Sequence, residues 1–281
     1  MGSALARAFL RHDHATTVWN RTAAKADALV AEGASRADTV DDAVTASRIV
    51  ISCVADYDAM YDVLGSSVDA LRGRLLVNLS SGTPEQARQA AAWAEEHGVD
   101  YLDGAIMVPV PAVGQPDAVI LYSGDRAVFD THRSTLDVLG GASSHVGTDP
   151  GLAVLYNTAL LGFMYATVNG FYHAAALVGT AGVSATEFES MATGWFLNSV
   201  VVPILDDQAP KIDAGEFAGT IDTTEMNLTA LEHVTRTSED HEVNAAPPRH
   251  LAELTRQAIA DGLAGESYAS MIKYYRGPRK G

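Results

Sequence analysis

The run VLYNTALLGFMYATVNGFYHAAAL, residues 154–177, decides how the rest of the chain is read. Its apolar residues recur at three- and four-residue spacing. No proline follows Pro150 within 147–182, so this stretch predicts one long helix opened by Asp149-Pro150, with proline tolerated in the first turn. Apolar side chains nearly all round it fit burial by other helices, between domains or at a dimer interface, better than a solvated surface. A membrane span is the rival reading. Asn157, Asn169 and His173 punctuate the helix and no basic cluster follows to orient it, so no membrane partner is expected.

Segments before this helix alternate strand and helix, and those after it are helical. A chain of 281 residues suits two domains, here 1–147 and 148–281. With 47% hydrophobic residues and a mean hydropathy of +0.04 it can bury a sizeable core. The net charge of −16 leaves no basic footprint for nucleic acid. Cys53 is the single cysteine and reads as a structural thiol; with no signal peptide ahead of the first helix, a cytoplasmic protein is expected. No His/Cys/Asp cluster has metal-ligand spacing, so no metal is expected.

The N-terminal residues 1–10 read as a helix that starts at Gly2. Strands follow at TTVWNRT, RIVISCV, LLVNLS, VDYLDGAI and AVILYSG, separated by helical segments such as 21–32 and 84–97. That alternation predicts an α/β, doubly wound Rossmann sheet, all of it parallel. Such a sheet holds a dinucleotide where glycines let the backbone approach the pyrophosphate at a helix N-terminus. Gly2 is the one glycine of that motif present. The first strand and its glycine turn are therefore expected upstream of Met1, as roughly 10 to 15 residues.

About 18 residues past that glycine, at the end of the second strand of this fold, a carboxylate would select NAD. Here stand Asn20-Arg21-Thr22, with Lys25 one turn on. Two cations with amide and hydroxyl donors favour the extra phosphate of NADPH. Val54, Asn78 and Ser81 lie at two further strand ends, where small and polar side chains let a cofactor pass closely. Thr83-Pro84 is also a helix start, with Thr83 the cap.

VWNRT, NLSSGTPEQAR, DGAIMVPVPAVG with AVILYSGD, and above all LYNTALLGFMYATVNGFYHAAALVGTAGVSATEF resemble the NADPH-dependent imine reductases, relatives of the β-hydroxyacid dehydrogenases. The likeness runs from Gly2 to the C-terminal helices. It implies a Rossmann domain, a long interdomain helix and an all-helical C-terminal domain exchanged in a homodimer. It also implies hydride transfer from NADPH to the C=N of a small-molecule imine, with reductive amination as an extension.

A β-hydroxyacid dehydrogenase would need a lysine on the long helix, and none occurs between Lys25 and Lys211. An iminium substrate has the opposite demand, since a lysine would repel its charge. The resemblance places catalytic groups at Asn157 and Tyr165, which on an ideal helix project roughly 80° and about 12 Å apart. Asn157 has no proton to give, so it positions; Tyr165 is the proton donor or cation partner. Met164, Trp195, Phe196 and Asn227 are the implied pocket residues. His173 reads as a satisfied core histidine, not a catalyst. A β-hydroxyacid dehydrogenase and a non-catalytic NADPH-binding protein are the competing readings. In the C-terminal half, Ser184 reads as a helix cap, 211–219 as a loop, and the tail with Arg276, Arg279 and Lys280 as frayed.

Overall fold

The computed structural model describes residues 1–276, so Arg279 and Lys280 lie outside the described residues. Contacts divide the chain into one unit of Met1–Phe163 and a second that starts at Met164. In chain order the first unit holds α1 Gly2–Arg11, β1 Thr17–Val18, α2 Asp27–Ala31, β2 Ser35–Arg36, α3 Val40–Thr45, β3 Ile49–Ser52, α4 Tyr57–Leu64 and α5 Val68–Leu71. It continues with β4 Leu75–Asn78, α6 Pro84–Glu96, β5 Asp100–Ile106, β6 Ile120–Gly124, α7 Arg126–Leu136, β7 Ser144–Gly147 and the start of α8 Leu152–Gly179.

Strands β1 and β2 pair in parallel as a two-stranded sheet, and β3-β4-β5-β6-β7 form a five-stranded one. β4 is buried along its whole length, as a central strand covered on both faces should be. Its alternate side chains serve opposite layers. Leu75 and Val77 pack with Leu102, Ile120, Tyr122 and Phe129 and with Leu5 and Ala8 of α1. Leu76 packs with Met60, Leu71, Ala87, Ala90 and Tyr101 beneath α4 and α6.

The sheet departs from the all-parallel expectation at one place: β5 and β6 are antiparallel. The segment between them carries Pro109, Pro111 and Pro116 and turns at Gly114, φ +80°. Three prolines leave no room for the crossover helix that parallel strands need, so the chain simply returns. β2 and β7 are additional to the predicted strands.

The long helix begins two residues later than predicted, after Pro150 instead of around it. Ser123 of β6 fixes that start: its Oγ donates to the Pro150 carbonyl at 2.7 Å and accepts from Ala153 N–H at 3.1 Å. Asp149 adds a bidentate pair with Arg88 at 2.9 and 2.8 Å and accepts from Gly151 N–H. Arg88 holds the Asp149 carboxyl below the usual carboxylate range.

The second unit carries the rest of α8, then α9 Ala185–Met191, a π-helical stretch Ala192–Val201, α10 Val202–Ala214, α11 Thr224–Asp240, α12 Ala246–Ala258 and α13 Met271–Tyr275. Ser184 caps α9 as predicted, its Oγ accepting from Glu187 N–H. Lys211 lies in the last turn of α10, not in a loop, because the helix stops only at Gly215, whose φ of +72° suits a glycine terminator. His173 bonds Ser238 Oγ of α11 at 3.2 Å, the satisfied role read for it. Two helical stretches, Leu152–Gly179 and Ala185–Ala214, are long and apolar enough to cross a membrane by length and composition.

Candidate active site

The first unit gathers its polar strand ends along one rim of the sheet. After β3, Val54 N–H donates to Ser80 Oγ at 3.3 Å; after β4, Ser80 N–H donates to Asn78 Oδ1 at 3.3 Å. Asp56 and Ser81 bridge in parallel, and Asp56 Oδ1 caps α4 by accepting from Ala59 N–H. Two loops that would otherwise move separately are thus one piece. Thr83 and Gln86 then close a full capping box at the start of α6.

Gly2 opens α1 at this rim, where a Cβ on it would lie 3.9 Å from the Cys53 carbonyl. The helix has no side-chain cap. Ala4 and Leu5 N–H donate to the Met1 carbonyl, and the Gly2 backbone faces the Cys53 thiol. Burial pushes the Cys53 thiol up, against weaker opposing effects of the N-terminal amine and the Gly2 backbone.

Asn20, Arg21, Thr22 and Lys25 follow β1 and are all exposed. Asn20 Nδ2 donates to the Thr22 carbonyl at 2.9 Å and shapes the turn. Several other cations of this unit pair with carboxylates, as in Arg7–Glu32 and Arg36–Asp27, whereas Arg11 and Arg74 donate to backbone carbonyls. Among the described residues no carboxylate lies within ion-pair distance of Arg21 or Lys25. Two cations without carboxylate partners in the turn after β1 suit a phosphate on an adenosine ribose.

One predicted cofactor residue behaves otherwise. Asn78 is fully buried and does not line the rim; its side chain holds the Ser80 loop from below. It is the strand partner of Asp103, itself fully buried, which accepts from Tyr57 OH at 2.8 Å and Tyr101 OH at 2.6 Å. Neither Asn78 Nδ2 nor Asp103 Oδ1 completes a hydrogen bond. Burial pushes the Asp103 carboxyl up to about 7, although both phenols and the Asn78 amide pull the other way. Burial and the adjacent carboxylate push both phenols up as well. Asp103 stands in the middle of the apolar strand VDYLDGAI, a signal of a buried polar group that the sequence reading passed over.

Tyr57 also fixes Gly82. A Cβ there would overlap the Cδ2 and Cε2 atoms of the Tyr57 ring, which is fully buried and tied to Asp103. Gly82→Ala is therefore expected to cost about 1–3 kcal/mol through overpacking. Urea unfolding checks this, and an unchanged midpoint would show that the ring yields.

Asn157 lies in the second turn of α8, on the portion anchored to the sheet, and is half-buried. Met164 and Tyr165 follow on the same helix, both exposed, Tyr165 at 61%. Trp195 and Phe196 sit on the π-helical stretch with ring centroids 6.0 Å apart. That stretch is held by Asn198 Nδ2, which donates to the Thr193 carbonyl five residues back. Asn227 opens α11, donates to the carbonyls of Asp222 and Thr223, and lines a cavity of about 720 Å³ with Lys211, Ile204 and Tyr268. Trp195 and Phe196 are not among that cavity's walls.

Residues 149–277 match the family described as NADPH-dependent reductive aminase-like, C-terminal domain, and residues 1–147 match the NAD binding domain of 6-phosphogluconate dehydrogenase. The chain is 36% identical over 98% of its length to an NADPH-dependent reductive aminase of Aspergillus oryzae, covering 94% of that protein. The chain belongs to the imine reductase and reductive aminase family. An imine reductase of Bacillus cereus superposes with a TM-score of 0.92 at 38% identity, covering 99% of this chain and 96% of the other. A reductive aminase of Aspergillus terreus, solved with NADPH4, cyclohexanone and allyl amine, does so with a TM-score of 0.88 at 39% identity, covering 98% and 96%. As a member of the imine reductase family the chain is an NADPH-dependent oxidoreductase.

Proposed function

We propose that this imine reductase reduces cyclic imines and iminium ions to amines, and joins ketone and amine by the same step, as a cytoplasmic homodimer. The supporting observation is the composition of α8: anchored to the sheet through Ser123, it carries Asn157 and Tyr165 and no lysine. A lysine there would hold an alkoxide; a phenol and an amide suit a cation.

Arg21 and Lys25 would hold the ribose phosphate of NADPH, and the α1 N-terminus with Gly2 its pyrophosphate. When bound, the cofactor supplies hydride to the electrophilic carbon. The chain must orient that carbon, keep the iminium protonated and exclude water. Asn157 positions the nitrogen, and Tyr165 gives it a proton or faces its charge, with Met164, Trp195, Phe196 and Asn227 as apolar and polar walls. Leu160, Leu161, Phe163 and Tyr172 of α8 are exposed in the single chain. Covering each such side chain stabilises by about 1.5–3 kcal/mol, which favours a second copy of this chain as the cover.

The direct test mixes protein and NADPH with a panel of pyrrolines and dihydroisoquinolines and follows NADPH absorbance. Consumption is expected. No consumption while 3-hydroxyacids are oxidised would favour a hydroxyacid dehydrogenase, and binding without any turnover a non-catalytic role. In Tyr165→Phe, kcat is expected to fall about 10- to 100-fold with a smaller change in KM. An unaltered kcat would remove Tyr165 from the chemistry.

A further inference from the structure

A row of fully buried polar side chains crosses the middle of the five-stranded sheet. Asn78 of β4 is the register partner of Asp103 of β5, and Asp103 is the partner of Ser123 of β6. Partners in register put their side chains on one face, and Tyr101, two residues before Asp103, shares it. Leu76 and Tyr101 of that face pack with Tyr57 of α4, Ala87 and Ala90 of α6 and Val154 of α8. Under so apolar a cover each polar group needs a partner.

Asp103 has partners at one oxygen only. Its Oδ2 accepts from Tyr57 OH at 2.8 Å and Tyr101 OH at 2.6 Å, whereas Oδ1 completes no hydrogen bond. Ser123 cannot supply the missing donor, because its one proton goes to the Pro150 carbonyl. Asn78 can: its Nδ2 is buried and equally without a partner, and the amide already favours the charged carboxyl. Besides the two phenols, no titratable or charged side chain among the described residues acts on Asp103, and α6 and α8 bring apolar side chains to the cover. A change at Oδ1 is therefore passed to Asn78. Asn78 Oδ1 holds the loop after β4 through Ser80 N–H, Ser80 Oγ holds Val54 after β3, and the Tyr57 ring packs at Gly82. Both Asn78 and Tyr57 thus end on the rim where the cofactor is placed.

We propose that Asp103 is a positioning residue for the cofactor: ionised, it draws Asn78 Nδ2 onto Oδ1 and sets the 80–82 loop in the form that binds NADPH. Protonated, the same oxygen meets the amide donor to donor, and the loop is held less firmly. The two unpaired atoms are the gap that the ionised form closes. The role rests on the cofactor lying along this rim and is independent of the substrate. Binding expels the carboxyl proton to solvent. Since the carboxyl of the free chain titrates at about 7 and binding favours its charged form, affinity rises with pH through that window and levels off above it.

The test titrates NADP+ by calorimetry at pH 5.5, 7 and 8 into the wild type and Asp103→Asn, whose amide keeps an oxygen for a phenol and turns an NH2 to Asn78, as the protonated carboxyl turns its O–H. At pH 5.5 the two dissociation constants should agree within about twofold, and at pH 8 the wild type should bind about 10-fold more tightly. The ribose phosphate, with a second pKa of about 6, affects both proteins alike and leaves that ratio untouched. The wild type alone gives a second readout. At pH 7, in two buffers of different ionisation enthalpy, binding should release roughly 0.4 proton per site beyond the roughly 0.1 that the phosphate gives. Tyr57→Phe leaves Asp103 one phenol and should move the affinity change to higher pH without abolishing it. A ratio flat across pH, with no proton release beyond the phosphate's, would overturn the proposal. Ser81→Leu tests the cofactor's placement separately and should weaken NADP+ at least ~10-fold at every pH. A flat Asp103→Asn ratio beside weakened Ser81→Leu binding would remove the positioning role alone; unaltered binding in Ser81→Leu would take the rim out of the site and Asp103 with it.

Discussion

Arg21→Glu is expected to reduce the preference for NADPH over NADH, read as the ratio of kcat/KM values, by about 100- to 1,000-fold. A charge-assisted hydrogen bond from the guanidinium to a phosphate contributes about 1.5–3 kcal/mol. The introduced carboxylate adds repulsion toward the phosphate and accepts instead from the 2′-hydroxyl of NADH, so the two coenzymes move in opposite directions. Arg21 is exposed, and among the described residues it has no carboxylate partner whose loss would confuse the result. Arg21→Lys should lie between, since an ammonium keeps the charge and loses the fork. NADPH affinity should also weaken with added salt, more for the wild type than for Arg21→Glu. An unchanged coenzyme ratio would mean that the turn after β1 does not read the phosphate.

That turn stands out in the sequence because two independent signals coincide in it, an apolar-to-polar change at a strand end and cations without acids in an acidic chain; its reading as a phosphate site is what the coenzyme ratio tests. The long helix was legible for a different reason, apolar residues recurring at three- and four-residue spacing with no proline across its 28 positions. β2 was not, because Ser35 and Arg36 are both exposed and two polar residues carry no alternation. β7 is four residues of mixed polarity and is hidden for the same reason. The reversal between β5 and β6 is written in Pro109, Pro111 and Pro116, but strand patterning alone carries no direction. Asn78 shows a further limit: polarity at a strand end marks the neighbourhood of a site, not which way the side chain turns. The Asp103 network was beyond reach as a whole, since Tyr57 lies 46 residues away and meets the acid only through the fold.

Asp103 makes stability fall as pH rises from about 4 to about 7. Its carboxyl is pushed up to about 7 in the folded chain by burial, against about 3.9 when unfolded. Between those values the folded chain keeps a proton that the unfolded chain has released. The unfolded state binds fewer protons, so the unfolding free energy drops by about 1.4 kcal/mol per pH unit, on the order of 4 kcal/mol across the window. Below pH 4 the contribution is intact, and above pH 7 the loss is complete and constant. Asp103→Asn removes this titration while keeping an oxygen that accepts from Tyr57 OH or Tyr101 OH. Urea unfolding of both proteins at intervals from pH 4 to 8 should give a wild-type minus variant difference that slopes downward by that amount and then flattens. Tyr57→Phe takes a donor from the carboxylate and should carry the window upward in pH, which a merely structural loss would not do. A pH-independent offset between wild type and Asp103→Asn would show that this carboxyl does not change its protonation between pH 4 and 7, and would leave the buried network as packing alone.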